Sequence, residues 1–392
     1  MWDAGEDWGD LLRGSHRTYA TITVTLGGDR LATISDDPDV LDDPAVHRLT
    51  HWKISAQVRG SLTESQLEFS VADETGELLT DHPDSPLQTF GQRVMLQTTV
   101  VAGDVRETVP MGIWRIGSAI PSGGQWRLYP NGAWVRPSQI ITVTAHDLLE
   151  LTAEHDFLGP SIPPAGATTH TEIRRLIDGD MPVALTGGSR PVGRTPWEHS
   201  RIDAVASLFT DMGKVAWVDR SGVLRDRTAQ VDPSGGLRIM AATPGGLLHG
   251  HGLVSWRPEA RREGLYNGVA MSGQRGDGER LHGSAYITTG PMAWSASGFG
   301  RVTYAAHSPL LTTQAQVSQA ATTRLTNLQA GRGRELRVEI IPNPALDLLD
   351  TISVVVPDTG REIPALVTAL TIGSAGAMTV DGTVPWEVGI HG

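Results

Sequence analysis

The sequence predicts a mainly β chain with a small α+β insert between two β-domains. Three observations carry that expectation. Turn-forming residues are frequent, with 45 glycines and 24 prolines among 392 residues, and they punctuate short runs rich in Val and Thr. Period-two apolar alternation fills about residues 14–150 and returns beyond about residue 253. Helical periodicity shows up in the stretch between them and in one run after residue 312.

In the first segment, residues 19–26 alternate with Ile22, Val24 and Leu26 on one face, and residues 66–71 put Leu67, Phe69 and Val71 inward. Residues 93–101, 111–116 and 140–145 add three further strands. Between the first two runs lies an acidic stretch containing Asp36, Asp37, Asp39, Asp42 and Asp43. It reads as a solvated loop, and its functional alternative is an electronegative loop facing a partner or a channel.

The character changes over residues 151–239. Residues 158–169 are rich in Pro, Gly and Ala and read as a linker. A short helix with Ile173, Leu176 and Ile177 on one side stops at Gly179. A second helix covers residues 201–212, with Ser200 as N-cap, Asp203 three positions on, and Ile202, Val205, Leu208, Phe209 and Met212 as its stripe. Gly213 ends it. A hairpin turning at Asp219-Arg220-Ser221-Gly222 follows.

The last segment is β-rich with one long helix. Thr313 and Gln316 have capping-box spacing, and Val317, Ala321, Leu325 and Leu328 share a face. Small residues Ala315, Ala320 and Ala321 permit close packing on a barrel, and Gly331 and Gly333 stop the helix. A short strand over residues 336–341, the turn Pro342-Asn343-Pro344-Ala345-Leu346-Asp347-Leu348-Leu349-Asp350 and a strand over residues 351–356 follow.

Composition narrows the function classes. The formal net charge is −12, which argues against a chain that lives on a nucleic-acid backbone. No apolar run approaches the roughly 20 residues of a membrane-spanning helix. There is no cysteine, which excludes disulfides, thiol catalysis and Cys-ligated zinc. His199, Asp203, His249 and His251 echo the His-x-x-x-Asp and His-x-His elements of zinc peptidases, but Asp203 has a capping task and the histidine pair sits in a Gly-rich connector. Neither a nucleophile elbow nor a phosphate loop is present. Arg275-Gly276-Asp277 reads as a hairpin tip. The 11 tryptophans are scattered, as core and interface residues are; exposed ones would instead suit a carbohydrate platform.

Several stretches, in order, resemble hub or minor tail proteins of long-tailed bacteriophages infecting actinobacteria. They are Leu12-Arg13-Gly14-Ser15-His16, Gly60-Ser61-Leu62-Thr63 with the alternating strand ending Val71-Ala72-Asp73, the run 85–94, Val109-Pro110-Met111-Gly112-Ile113-Trp114-Arg115-Ile116, Thr144-Ala145-His146-Asp147-Leu148, Leu265-Tyr266-Asn267-Gly268-Val269 and the helix–turn–strand of residues 312–356. The resemblance implies two tube-like β-barrel domains, each packed by a helix, flanking the small α+β domain. Its divisions are 1–150 (an N-terminal arm and the first barrel), 151–252 (a peripheral insert with a hairpin) and 253–392 (the second barrel with helix 312–330).

The resemblance further implies a non-enzymatic virion protein with no cofactor and no metal. It would form a homotrimeric, pseudo-six-fold baseplate hub at the distal end of the tail, made in the bacterial host cytoplasm. Its partners would be a distal tail or tail tube protein, a tip or spike protein and the tape-measure protein. DNA would transit its lumen without specific binding, and no membrane insertion is expected. Two other classes stay open, a tail-associated zinc peptidase acting on the cell wall and a carbohydrate-binding tail-tip module. Interface candidates are the loop Asp36, Asp37, Asp39, Asp42, Asp43 and the tip Arg275, Asp277, Glu279, Arg280.

Overall fold

Strands that alternate apolar and polar residues must bury one face, and a sheet that closes on itself buries it without leaving an edge. The first half of the chain adopts that solution. In a computed structural model, which describes residues 12, 16–80, 82–123, 127–128, 134–135, 139–198, 200–232, 236–241, 251–259, 265–296, 298–308, 311–330, 333–357 and 359–385, it builds β1 (Arg17–Leu26), β2 (Asp29–Ser35), a one-turn α1 (Pro38–Leu41), β3 (Val46–Arg59), β4 (Leu62–Asp73), β5 (Arg93–Ala102) and β6 (Val105–Ser122). A two-stranded ribbon, β7 (Arg127–Leu128) and β8 (Trp134–Val135), precedes β9 (Gln139–Asp147). Apart from the ribbon, these strands follow the order β4-β9-β6-β5-β1-β2-β3, and β3 pairs back onto β4 to close the barrel. Ile22, Val24, Leu67, Phe69 and Val71 point into its core and are fully buried.

The insert follows. It comprises α2 (Leu149–Glu154), α3 (Thr169–Ile177), β10 (Val183–Ala184), α4 (Arg201–Met212), β11 (Val215–Val218) and β12 (Leu224–Arg227). Thr168 and Thr171 cap α3 reciprocally, and α3 ends at Asp178 with φ 43°, one residue before Gly179. Ser200 caps α4 by accepting from the Asp203 N–H at 3.3 Å, and Gly213 ends it at φ 68°. The apolar stripes of both helices meet: Ile173, Leu176, Val205, Leu208 and Phe209 share one core. The hairpin β11–β12 adds to the first barrel through a single parallel bridge from Ala216 to Leu62.

The rest of the chain contributes β13 (Leu237–Met240), β14 (His251–Glu259), β15 (Gly268–Gln274), β16 (Arg280–Tyr286), β17 (Thr303–His307), α5 (Gln314–Ala330), β18 (Gly333–Ile340), β19 (Thr351–Val355), β20 (Glu362–Gly373) and β21 (Met378–Pro385). The order β20-β19-β13-β14-β18-β21, closed by β20–β21, makes a second barrel. Strands β15–β17 form a separate three-stranded sheet inserted between β14 and β18. The close packing expected of the α5 small residues against a barrel is made instead against this separate sheet, where Val317, Ala321 and Leu325 cover Val269, Met271 and Leu281. Glycine in the sheet permits it: a Cβ on Gly273 would lie 2.2 Å from the Leu311 carbonyl oxygen, and one on Gly283 2.9 Å from that of Val317. The expected capping box holds, with the Gln316 side chain accepting from the Thr313 N–H at 3.0 Å and the Thr313 hydroxyl accepting from the Gln316 N–H at 3.3 Å.

One antiparallel pairing joins the barrels. Residues 53–57 of β3 run against 369–373 of β20, with Ile54 opposite Ile372 and Ser55 opposite Thr371. Ile54 and Ile372 are buried in a core shared by both barrels. The wall is therefore continuous from one barrel to the next, with both interiors on the same side of it.

Candidate functional site

The opposite side of that shared wall is polar. Opposed residues form rows across the strands, because side chains opposite one another in a ladder project to the same face. One row runs from His146 on β9 through Gln66, Ser55 and Thr371 to Thr379 on β21. The next runs from Glu64 through Gln57, Ala369 and Asp381 to Arg337 on β18. Charges along the rows are paired. Arg337 donates twice to Asp381, at 2.6 and 2.7 Å, and Arg59 and Gln57 donate to Glu64 at 3.1 and 3.2 Å. A furrow of about 690 Å³ lies over the wall, lined also by Leu149 and Ala153 of α2 and Ile202 of α4.

Asp147, one residue beyond His146 on β9, borders the furrow. It accepts from the Ser65 N–H at 2.7 Å and from the Leu149 N–H at 3.0 Å, which starts α2 at the end of β9. Burial nevertheless pushes its carboxyl up to about 7, with Glu150 and Glu64 adding to the shift.

On the other side of the insert, two arginines of the β11–β12 hairpin clamp the turn between β18 and β19. Arg220 is 7 % exposed and donates to the carbonyls of Pro110 at 3.1 Å and Leu346 at 3.0 Å, with Asp347 3.5 Å away. It thereby ties β6 of the first barrel, the insert and the second barrel together. Arg227 lies over the Trp217 ring at 4.4 Å, donates to Asp350 at 3.0 Å and also donates to the Leu348 carbonyl. The turn is pre-shaped for this. Asn343 accepts from the Ala345 N–H at 3.0 Å, the Asp350 carboxylate from the Asp347 N–H at 2.8 Å, and Leu349 takes φ 63°. Burial raises the Asp347 carboxyl, and Arg220 pulls it back. The sequence marked this turn and the hairpin separately. Nothing local announces that they meet, because partners more than 120 residues apart leave no periodic signal.

The predicted interface residues fall in two places. Asp36, Asp37, Asp39, Asp42 and Asp43 connect β2 to β3. They are not uniformly solvated: Asp37 is 1 % exposed, caps α1 by accepting from the Asp39 N–H at 3.1 Å, and pairs with Arg106. Arg106 also holds Asp39 at 2.6 Å. Asp36 accepts from the Ala20 N–H at 2.6 Å, and burial raises its pKa. Asp42 and Asp43 stay exposed. Arg275, Asp277, Glu279 and Arg280 form the β15–β16 tip, where Arg275 pairs with Glu279, Asp277 accepts from the Glu279 N–H at 3.1 Å, and Arg280 is exposed. No described contact links the tip to the acidic loop. Of the residues weighed as zinc ligands, His199, His249 and the His251 side chain lie outside the described residues, and Asp203 occupies the first turn of α4. Among the described residues, no group of three His, Asp or Glu side chains is placed to hold a metal ion, and no helix is long and apolar enough to cross a membrane.

No protein-family model matches the sequence, and no curated protein matches it either. Solved structures do match. A tail protein from Neisseria meningitidis MC58 is similar over 94% of this chain and 97% of its own, with a TM-score of 0.60 at 11% identity. The 43 kDa tail protein of prophage MuSo2 from Shewanella oneidensis is similar over 94% and 99%, with a TM-score of 0.53 at 12% identity. Prophage tail protein gp18 from Listeria monocytogenes EGD-e is similar over 93% and 94%, with a TM-score of 0.50 at 9% identity. At such identities what is shared is the fold, over nearly the whole of each chain.

Proposed function

We propose that this chain is a structural protein of a phage-type tail tip. In this reading it is a hub, three copies of which form a ring joining the tail tube or distal tail protein to the tip. The observation that carries the reading is the pair of closed barrels fused through β3 and β20, a fold shared over nearly the full chain with three tail proteins. Two barrels per chain let three chains present six barrels, which reconciles a six-fold tube with a three-fold tip. A closed ring needs the two ends of the double barrel to be complementary, since its interfaces are head to tail.

The shared polar wall is the surface we assign to the channel. It runs unbroken from one barrel to the next, as a common lining must. Arg337 on it is paired with Asp381 and Arg59 with Glu64, and the chain as a whole is acidic, which disfavours a DNA backbone along it. The tape-measure protein and then DNA would pass over this wall. The divisions 1–150, 151–252 and 253–392 remain our proposed domains. Asp42, Asp43 and Arg280 are exposed members of the proposed contact set. The function is assembly and passage, with no catalytic step.

Native mass spectrometry of the purified chain, followed by negative-stain imaging, tests the reading. Trimers with a central hole are the expected result. A chain that stays monomeric both alone and with its tail tube and tip partners would overturn it.

A further inference from the structure

The three-stranded sheet β15–β17 has one face covered by α5 and one that α5 leaves open. Val269, Met271 and Leu281 point to the helix. Alternation then sends Gly268, Ser284, Tyr286 and Thr303 to the open face, with Gly268 directly opposite both Tyr286 and Thr303. A tryptophan lies on that open face. The Trp294 ring packs against Gly268 so closely that a Cβ there would come 2.5 Å from its Cζ3. Its main-chain N–H donates to the Ile287 carbonyl at 2.8 Å, which fixes the loop that delivers it. The Tyr286 ring stands 5.9 Å away, tilted by 35°, and Tyr286 is 54% exposed. The Arg301 guanidinium lies 5.5 Å from the Trp294 centroid.

This arrangement is outside the core of its unit, since the apolar cluster under α5 contains neither ring. A large aromatic seated on glycine at a solvent-facing sheet surface, beside a half-exposed tyrosine and an exposed arginine, is a shelf. We propose that the Tyr286–Trp294 shelf, with Arg301 at its rim, is a binding subsite for a pyranose sugar.

The chemistry selects that class. A pyranose ring is apolar on its C–H face and polar around its edge. The exposed Tyr286 ring supplies the apolar floor. The Arg301 guanidinium and the Ser284 and Thr303 hydroxyls supply donors and acceptors around it. A stable protein partner needs roughly 800 Å² on each side and a desolvated anchor, whereas beyond the two rings this face offers small and polar side chains. Single-stranded nucleic acid also stacks on aromatics, but it needs a basic track that a chain of net charge −12 does not show here. The inference is independent of the ring proposal, because it concerns a unit inserted between two barrel strands.

Saturation-transfer NMR and tryptophan fluorescence, with the whole chain and a panel of glucose, galactose, N-acetylglucosamine and their disaccharides, test it. At least one sugar is expected to bind at millimolar concentration and to change the emission, with the change abolished in Trp294→Phe. Tyr286→Ala is expected to weaken binding about tenfold, and Arg301→Ala severalfold, both with an unchanged melting temperature. Absence of binding by every sugar, or binding unaltered in Tyr286→Ala, overturns the proposal. A trimer readout on the same samples keeps its failure distinct from failure of the hub reading.

Discussion

Arg227 donates to Asp350 at 3.0 Å, and so the insert's hairpin grips the turn that opens β19. The Asp350 side chain is only 5% exposed, so the pair is held away from water at one end. Removing the cation leaves a buried carboxylate and strips the Leu348 carbonyl of a donor. Arg227→Ala is therefore expected to lower unfolding free energy by about 3 kcal/mol. Arg227→Lys should recover less than half, because an ammonium cannot serve a carbonyl and a carboxylate in one fork while lying flat on Trp217. Urea titration of the three proteins checks this; equal midpoints would show that the clamp does not hold the insert to the second barrel.

The Asp147 carboxyl predicts a direction for pH dependence. Its folded pKa of about 7 lies above its unfolded value near 3.9. The folded state therefore binds the proton more tightly, and this group's contribution is fully present below about pH 4 and is lost as pH rises through 7. Asp211, raised to about 6 chiefly by burial, acts with the same sign over a narrower window. Stability attributable to Asp147 should fall by up to about 4 kcal/mol between pH 4 and 8. Asp147→Asn should flatten that slope. It should not simply stabilise the protein, because the Ser65 and Leu149 N–H groups donate to different oxygens of Asp147, and an Asn side chain would turn its NH2 donor toward one of them. Denaturation midpoints of both proteins at several pH values check the slope, and parallel curves would refute the assignment.

Gly273 and Gly276 predict opposite outcomes from the same substitution. Gly273→Ala drives a methyl to 2.2 Å from the Leu311 carbonyl oxygen and 3.0 Å from a Val317 methyl. That should cost about 1–3 kcal/mol by overpacking, felt as loosening of α5 from its sheet. A Cβ on Gly276, at the hairpin tip, meets nothing within 4 Å. Gly276→Ala should change stability by less than about 0.5 kcal/mol. Hydrogen exchange along residues 314–330 separates the two.

How far the fold was legible follows from where the signals were local. Caps at Ser200 and Thr313 and the stop at Gly213 were readable because a helix end is decided by residues within one turn of it. Strands over residues 19–26, 66–71, 93–101, 111–116 and 140–145 were readable from strict alternation. Strands β2 and β3 were not singled out. In β3, Trp52 and Ile54 do alternate with His51 and Lys53, but a register shift between Leu49 and His51 interrupts the period. The β3–β20 seam and the Arg220 and Arg227 clamps could not be read, since each joins segments far apart in the chain. The acidic loop read as uniformly solvated because the sequence gives no hint that Arg106, on β6, folds over Asp37 and Asp39.

That last contact separates stability from assembly in the loop. Asp37 is buried and bound to Arg106, so Arg106→Ala strands a carboxylate and should cost about 3 kcal/mol. Any loss of assembly in that variant would be uninterpretable, because α1 and the β2–β3 connection would be disturbed together. Asp42 and Asp43 are different. Both are exposed; Asp43 does accept from the Ala45 N–H at 2.9 Å, a turn contact at the surface. Asp42→Lys should leave the melting temperature within a few degrees, as exposed charges away from partners do. If the loop contacts a neighbouring copy or a tail partner, the same variant should lower the trimer fraction or the incorporation into particles, and more so at low salt. Normal assembly of Asp42→Lys and of Arg280→Glu would remove the loop and the β15–β16 tip from the set of interfaces. In the proposed ring, the head-to-tail contacts would then have to lie on the two ends of the double barrel.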